Sequence, residues 1–276
     1  MRRGLFFILA APGAALFIFF FLIPLVVVSM DGFTGGGSAF LRVLRNETFW
    51  SGLRGSLILA ATASVFSLIV GFAVALHLSR IGETARTILV FFIALPLTFS
   101  GLIVAYGFIL SYGRAGFVTQ ILAMIGVDPV NFSRLLFSPQ GLAFAASYYL
   151  IPRVVMLLLP VFVNFDTAQF TAAESLGATR GRIIRDILIP QIMPTAVTAF
   201  CLIAAVAIGA YGTALALVGT QVNILPLQLY SMISETGSDF PAAAALSLLL
   251  MALCSCIIAV GEVVAARHER QDAHAR

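Results

Sequence analysis

The chain has 276 residues, 61% of them hydrophobic and only 10% charged, with a net charge of +4 and a mean hydropathy of +1.05. Soluble globular domains hold about 45–50% apolar and about 25% charged residues, so this composition excludes one and defines an all-α polytopic membrane protein. All sixteen basic residues are Arg. With no Lys, neither a Walker A phosphate loop nor a Schiff base can be built, so any ATP use has to come from another chain.

Spanning helices need about 20 predominantly apolar residues. The first candidate covers 5–29, softened by Pro12 and Pro24. Arg2 and Arg3 precede it as in a signal peptide, but its apolar run exceeds the usual 7–15 residues, so it is read as a retained helix. Next comes "FLRVLRNETFWSGLR" (40–54), which interleaves apolar residues with Arg and places Trp50 near an interface. That pattern predicts a short helix lying on the outer surface. Five further spans follow at 55–77, 87–111, 141–163, 194–218 and 241–265. Six transmembrane helices therefore make one domain over 1–276, ending in a short tail at 266–276.

Arg placement orients the bundle. With the N-terminus inside, Arg2, Arg3, Arg80, Arg86, Arg180, Arg182, Arg185, Arg267, Arg270 and Arg276 are cytoplasmic. Arg42, Arg45, Arg54, Arg114 and Arg134 fall outside, in the loops at 30–54 and 112–140. Both termini are thus expected in the cytoplasm. The basic charge reads as topology in a membrane lipid, with no nucleic acid partner.

Chemistry-bearing clusters are sparse. Cys254 and Cys256 are two apart and cannot face each other on a helix, while Cys201, His77, His268 and His274 show no ligand spacing, so no metal site is expected. Arg153 falls near the middle of the fourth span. An intramembrane Arg costs about 2.5–3.5 kcal/mol on insertion scales, and two readings of it stay open. It lines the translocation pathway, which favours an anionic or zwitterionic solute and opposes a polyamine, or it makes a structural pair. Tyr106, Tyr148, Tyr149 and Tyr211 offer polar tips within spans. Tyr211, between Gly209 and Gly212, is the one far enough from both interfaces to join the pathway candidates. The spans hold no central carboxylate of the sort that an ion-coupled secondary transporter, the rival reading, uses as a relay.

Residues 164–187 break the apolar pattern with Asp166, Glu174, Arg180, Arg182, Arg185 and Asp186. "TAAESL" favours a helix, Gly177 can end it in a left-handed conformation, and Thr179 can cap a second helix. Ile183, Ile184, Ile187 and Leu188 gather on one side of that second helix, Arg182 and Asp186 form an i,i+4 pair, and Pro190 is expected to close it.

This segment resembles the EAA loop of permease subunits in binding-protein-dependent ABC importers. That pattern reads Glu-Ala-Ala, three residues, Gly, nine residues, then Ile-x-Leu-Pro. Here Thr171-Ala172-Ala173, Gly177 and Ile187-Leu188-Ile189-Pro190 keep the full spacing. Thr171 stands where the family has Glu, and Ile189 where it has Leu, the second a nearly volume-neutral exchange. Residues 5–30 are also similar to the first permease of spermidine/putrescine-type systems. The resemblance implies the six-helix permease (MetI-like) fold and an inner-membrane subunit forming half of a pathway for a small polar solute, polyamine- or phosphonate-type. It implies a coupling loop at 164–190, where Thr171, Ala172, Ala173, Glu174, Gly177, Arg180, Arg182, Ile187 and Pro190 contact an ATPase subunit dimer. ATP-Mg sits on that ATPase, and this chain carries no cofactor. A second, different permease subunit and a periplasmic solute-binding protein complete the implied assembly.

Overall fold

A computed structural model describes residues 11–166, 168–219, 222–234 and 239–274, with side chains as far as 267. Arg2, Arg3, Arg276 and residues 5–10 of the first expected span lie outside the described residues. Among those described, six helices are long and apolar enough to cross a membrane.

Helix α1 is Ala11–Gly32, and its turn Ile18–Leu22 is π-helical, just ahead of Pro24. Pro24 has no N–H to return to the preceding turn, and the wider turn before it accommodates the missing bond. The surface helix is present as α2, Ser38–Arg45, with Ala39 and Val43 buried beneath it. It is shorter than predicted because Asn46 stops it. Asn46 takes an extended backbone and its side chain accepts the Thr48 N–H at 2.9 Å, which starts α3, Glu47–Arg80. The second span therefore begins at Glu47 rather than at 55. Trp50 lies on its first turn, 55% exposed, and donates its indole N–H to the Leu44 carbonyl at 2.8 Å. Asn46→Ala should lower stability by about 1 kcal/mol, the usual worth of such a cap. Thermal unfolding of the purified protein measures this, and an unchanged midpoint would dismiss the cap.

The third span departs from its predicted single helix over 87–111. It is split into α4, Glu83–Ala94, and α5, Gly101–Tyr112, with a 3-10 turn at Leu95–Thr98 between them. Pro96 removes an N–H at the end of α4, and Ser100 starts α5 by accepting the Ile103 N–H at 3.4 Å. Two short helices follow, α6 (Phe117–Met124), which continues α5 so that Gly101–Met124 is the third of the six stretches of membrane-crossing length, and α7 (Pro129–Leu136).

Helix α8, Pro139–Val163, forms the core of the bundle. Of its most apolar stretch 61% is buried, against none of α1's, so the fourth span is central and the first peripheral. It packs on α3 at Gly71, where an added Cβ would lie 2.6 Å from Val154 Cγ1.

Next comes the short helix α9, Ala168–Ser175, and then α10, which runs unbroken from Arg180 to Ile208. The expected stop at Pro190 is absent. A π turn at Ile184–Leu188 precedes it, with the Ile189 N–H reaching back to the Ile184 carbonyl, and Pro190 sits in the first turn beyond. Proline is tolerated there because its missing N–H has no α-helical partner to serve. The second loop helix and the fifth span are one element. That element then ends at Ile208, where a single helix to 218 is predicted. The Tyr211 N–H bonds to the Gly209 carbonyl at 2.7 Å around Ala210 (φ −73°, ψ 52°), an inverse γ-turn that launches α11, Tyr211–Val218.

Helix α12, Leu225–Ser234, folds back against the start of α3. The Leu225 N–H donates to Ser56 Oγ at 2.9 Å, and the Gln228 amide reaches the Thr48 carbonyl and Asn223. Gly52 makes room for Gln228, since a Cβ there would overlap its amide. The last helix, α13, is Phe240–His274, so the expected tail is helical as far as His274. It packs on α10 and carries α1 on its outer side.

Candidate functional site

The hairpin at 164–190 is built by local rules. Asp166 accepts the Ala168 N–H at 2.9 Å, which opens α9, and Phe165 packs its ring 5.0 Å from that of Phe170. At the other end the Ala178 N–H reaches the Ala173 carbonyl at 3.0 Å, and the Gly177 N–H reaches that of Glu174 at 2.9 Å. This pair of bonds is the Schellman closure, and it needs a left-handed residue at Gly177, whose φ is +81°. The predicted turn is present. Thr179 occupies the cap position of α10 with extended backbone, yet its side chain makes no capping bond.

Two weak exposed contacts join the limbs: Glu174 and Arg180 stand 4.0 Å apart, and Gln191 donates to Gln169 at 2.7 Å, while Arg182 and Asp186, 3.3 Å apart, pair within α10. Exposed pairs of this kind contribute little each, so the turn geometry rather than the charges fixes the shape. Thr171, Ala172, Glu174, Arg180, Arg182 and Pro190 are exposed, while Ala173 and Ile187 are half-buried. Between the limbs and the end of α3 lies a cavity of about 490 Å³, lined by Phe72, Leu76, Arg80, Phe170 and Ile183 among others. The tip residue Leu176 is 89% exposed. Sequence reasoning passed it over, although an apolar residue directly before a helix-ending glycine was a usable signal.

Arg153 is half-buried on α8. Its Nη1 donates to the Tyr149 carbonyl one turn earlier at 2.7 Å, and its Cζ lies 5.6 Å from the centre of the Tyr149 ring. That is within reach of a cation–π contact. Thr213 Oγ1 donates to the Gly101 carbonyl at 3.1 Å. That bond joins the first turns of α11 and α5, the two helices that pack on the core helix of Arg153 and Tyr149. Tyr211 is 37% exposed and stacks at 5.6 Å on Tyr230, so the structure does not bring it to Arg153 directly. It shares α11 with Thr213. Neither Thr213 nor Gly101 was singled out from the sequence, where 112 residues separate them.

Six apolar helices of spanning length among the described residues, with an exposed helical hairpin between the fourth and the fifth, define a polytopic integral membrane protein. The chain belongs to the family described as "Binding-protein-dependent transport system inner membrane component", which matches residues 67–270. It is a transport subunit of ABC importers, with the ATPase a separate chain. Among relatives, it is 26% identical over 85% of its length to the spermidine/putrescine transport system permease protein PotB of Salmonella typhi, of which it covers 84%. It is 27% identical over 84% of its length to sulfate permease 2 of Chlamydomonas reinhardtii, and there it spans only 62% of the relative. In structure it is similar to a chain of a bacterial ABC transporter involved in import of the acidic polysaccharide alginate. That likeness has a TM-score of 0.77 at 20% identity, with 96% of each chain covered. The expected permease fold is borne out.

Proposed function

We propose that this chain forms half of the translocation pathway of a bacterial inner-membrane importer for a small polar solute. Both termini lie in the cytoplasm, and a second, different permease subunit supplies the other half. Residues 164–190 dock on an ATPase dimer that carries the ATP-Mg, and a periplasmic binding protein delivers the solute. This chain itself holds no cofactor. The observation that carries the reading is the hairpin, a Schellman-closed pair of helices whose apolar tip residue, Leu176, is 89% exposed.

We place the partner's surface at this apolar tip, on the segment that resembles the ATPase-contacting loop. Leu176→Asp tests this, because it places a charge where the partner would have to bury it unpaired. The substitution should disturb the fold little, since the side chain is 89% exposed. Co-purified ATPase should fall by about tenfold or more while the amount of inserted protein stays constant. Unchanged ATPase recovery would remove the tip from the contact.

A further inference from the structure

We propose that Arg153 is the solute-selecting residue of the pathway and that the transported solute is an anion; this rests on the importer reading above. Three observations carry it. The first is charge. Among the described residues the ion pairs are Arg42–Asp239, Arg180–Glu174 and Arg182–Asp186, none of which involves Arg153. Asp31 and Glu262 lie near the ends of α1 and α13, and no carboxylate occupies the middle of a span. The guanidinium therefore keeps its full charge within the chain.

The second is how it is held. A structural pair would neutralise Arg153, whereas a carbonyl and an aromatic face position it and leave it charged. A guanidinium has five N–H donors, and apart from the bond to Tyr149 the rest meet no partner among the described residues. Donors left open in a planar fork suit a carboxylate, sulfate or phosphate.

The third is place. Arg153 stands on α8, which packs on both α5 and α11, and the Thr213–Gly101 bond joins the starts of those two helices beside the breaks at 95–100 and 209–210. Irregular backbone at membrane depth survives only where it is buried in protein or lines a water-filled cavity. Ala210 and Thr213 bury the break in the fifth span in protein, whereas the break at 95–100 packs on α8 and leaves residues 98–100 exposed, so it is the one free to line a water-filled route beside the uncompensated cation. A polyamine, with several positive charges, would meet this cation and, among the described residues of this chain, no acid in the middle of a span to offset it.

The test uses the complete importer in proteoliposomes, with its partner permease, ATPase and binding protein. The ATP-dependent uptake of labelled sulfate, phosphate, thiosulfate and citrate is compared with that of putrescine and spermidine. At least one anion should enter and neither amine. Arg153→Gln should cut anion uptake by about tenfold or more, the worth of one charge-assisted contact, with ATPase still co-purifying. Arg153→Lys should retain part of the uptake with a raised KM, because the charge remains while the fork is lost. ATP-dependent entry of either amine, entry of none of the four anions, or wild-type anion uptake by Arg153→Gln each overturns the inference. Should Arg153→Gln fail to assemble, Arg153→Lys decides, and a wild-type KM overturns it. These results leave the importer reading standing. That reading fails separately if no ATPase associates with the wild-type chain.

Discussion

Gly177→Val is expected to reduce uptake close to background while the protein still inserts in normal amounts. A Cβ built on Gly177 meets nothing within 4 Å, so crowding is not the reason. The cause is the backbone, because φ of +81° is a conformation that costs an L-residue about 1–2 kcal/mol, and more for a β-branched one. That sum is small beside the packing of six spans, yet it falls wholly on the Schellman turn, which has no tertiary contact to hold it. Escape from the left-handed region breaks the bonds of Ala178 and Gly177 to α9 and swings α9 away from α10. Asn tolerates the left-handed region far better, so Gly177→Asn should keep most activity. Uptake and co-purified ATPase measured together check this. Wild-type values for both in Gly177→Val would take the turn out of the mechanism.

Gly71→Leu should act on the fold itself, leaving little intact protein. Gly71 faces α8, and a Cβ there comes within 2.6 Å of Val154 Cγ1 and 3.3 Å of the Ile151 carbonyl. Val154 is fully buried and the carbonyl is backbone, so neither can step aside. Overpacking of a filled core typically costs about 1–3 kcal/mol, and four added carbons at a helix crossing reach the upper end or beyond. Gly71→Ala, with one added carbon, should show a smaller loss. Size-exclusion profiles of detergent extracts measure both, and a normal monodisperse peak for Gly71→Leu would show that the helices can separate there.

Much of this was legible from residue chemistry. Apolar runs give the spans because lipid leaves the backbone no partner but itself, and that rule needs no tertiary information. Gly177 was legible for a similar reason, since a glycine after Ala-rich helix formers has a purely local job. Breaks inside spans were not. Residues 95–100 and 209–211 are less apolar than their flanks, but dips of three to six residues are lost in a window of about 20, and only Pro96 and the Gly209/Gly212 pair hint at an interruption. Pro190 was misread because a proline looks the same whether it ends one helix or sits early in another. The π turn that decides between these has no composition of its own. Arg153 announces itself as a misplaced charge, whereas Thr213 and Gly101 are ordinary residues until folding joins them.

The continuity of α10 has a mechanical meaning. Its 29 residues make a rod of about 43 Å at the α-helical rise, with the hairpin turn at one end and the Gly209–Ala210 kink at the other. Its first half is mostly exposed, whereas Ile203, Ala204, Ala207 and Ile208 clamp its second half in the core. A rod clamped over one half passes a sideways push at Arg180 into the packing around Ile208. The γ-turn beyond Ile208 then works as a loose coupling, because a three-residue bend with one short hydrogen bond can flex without unwinding either helix. A movement outside the membrane would therefore reach Thr213 through the core that clamps α10.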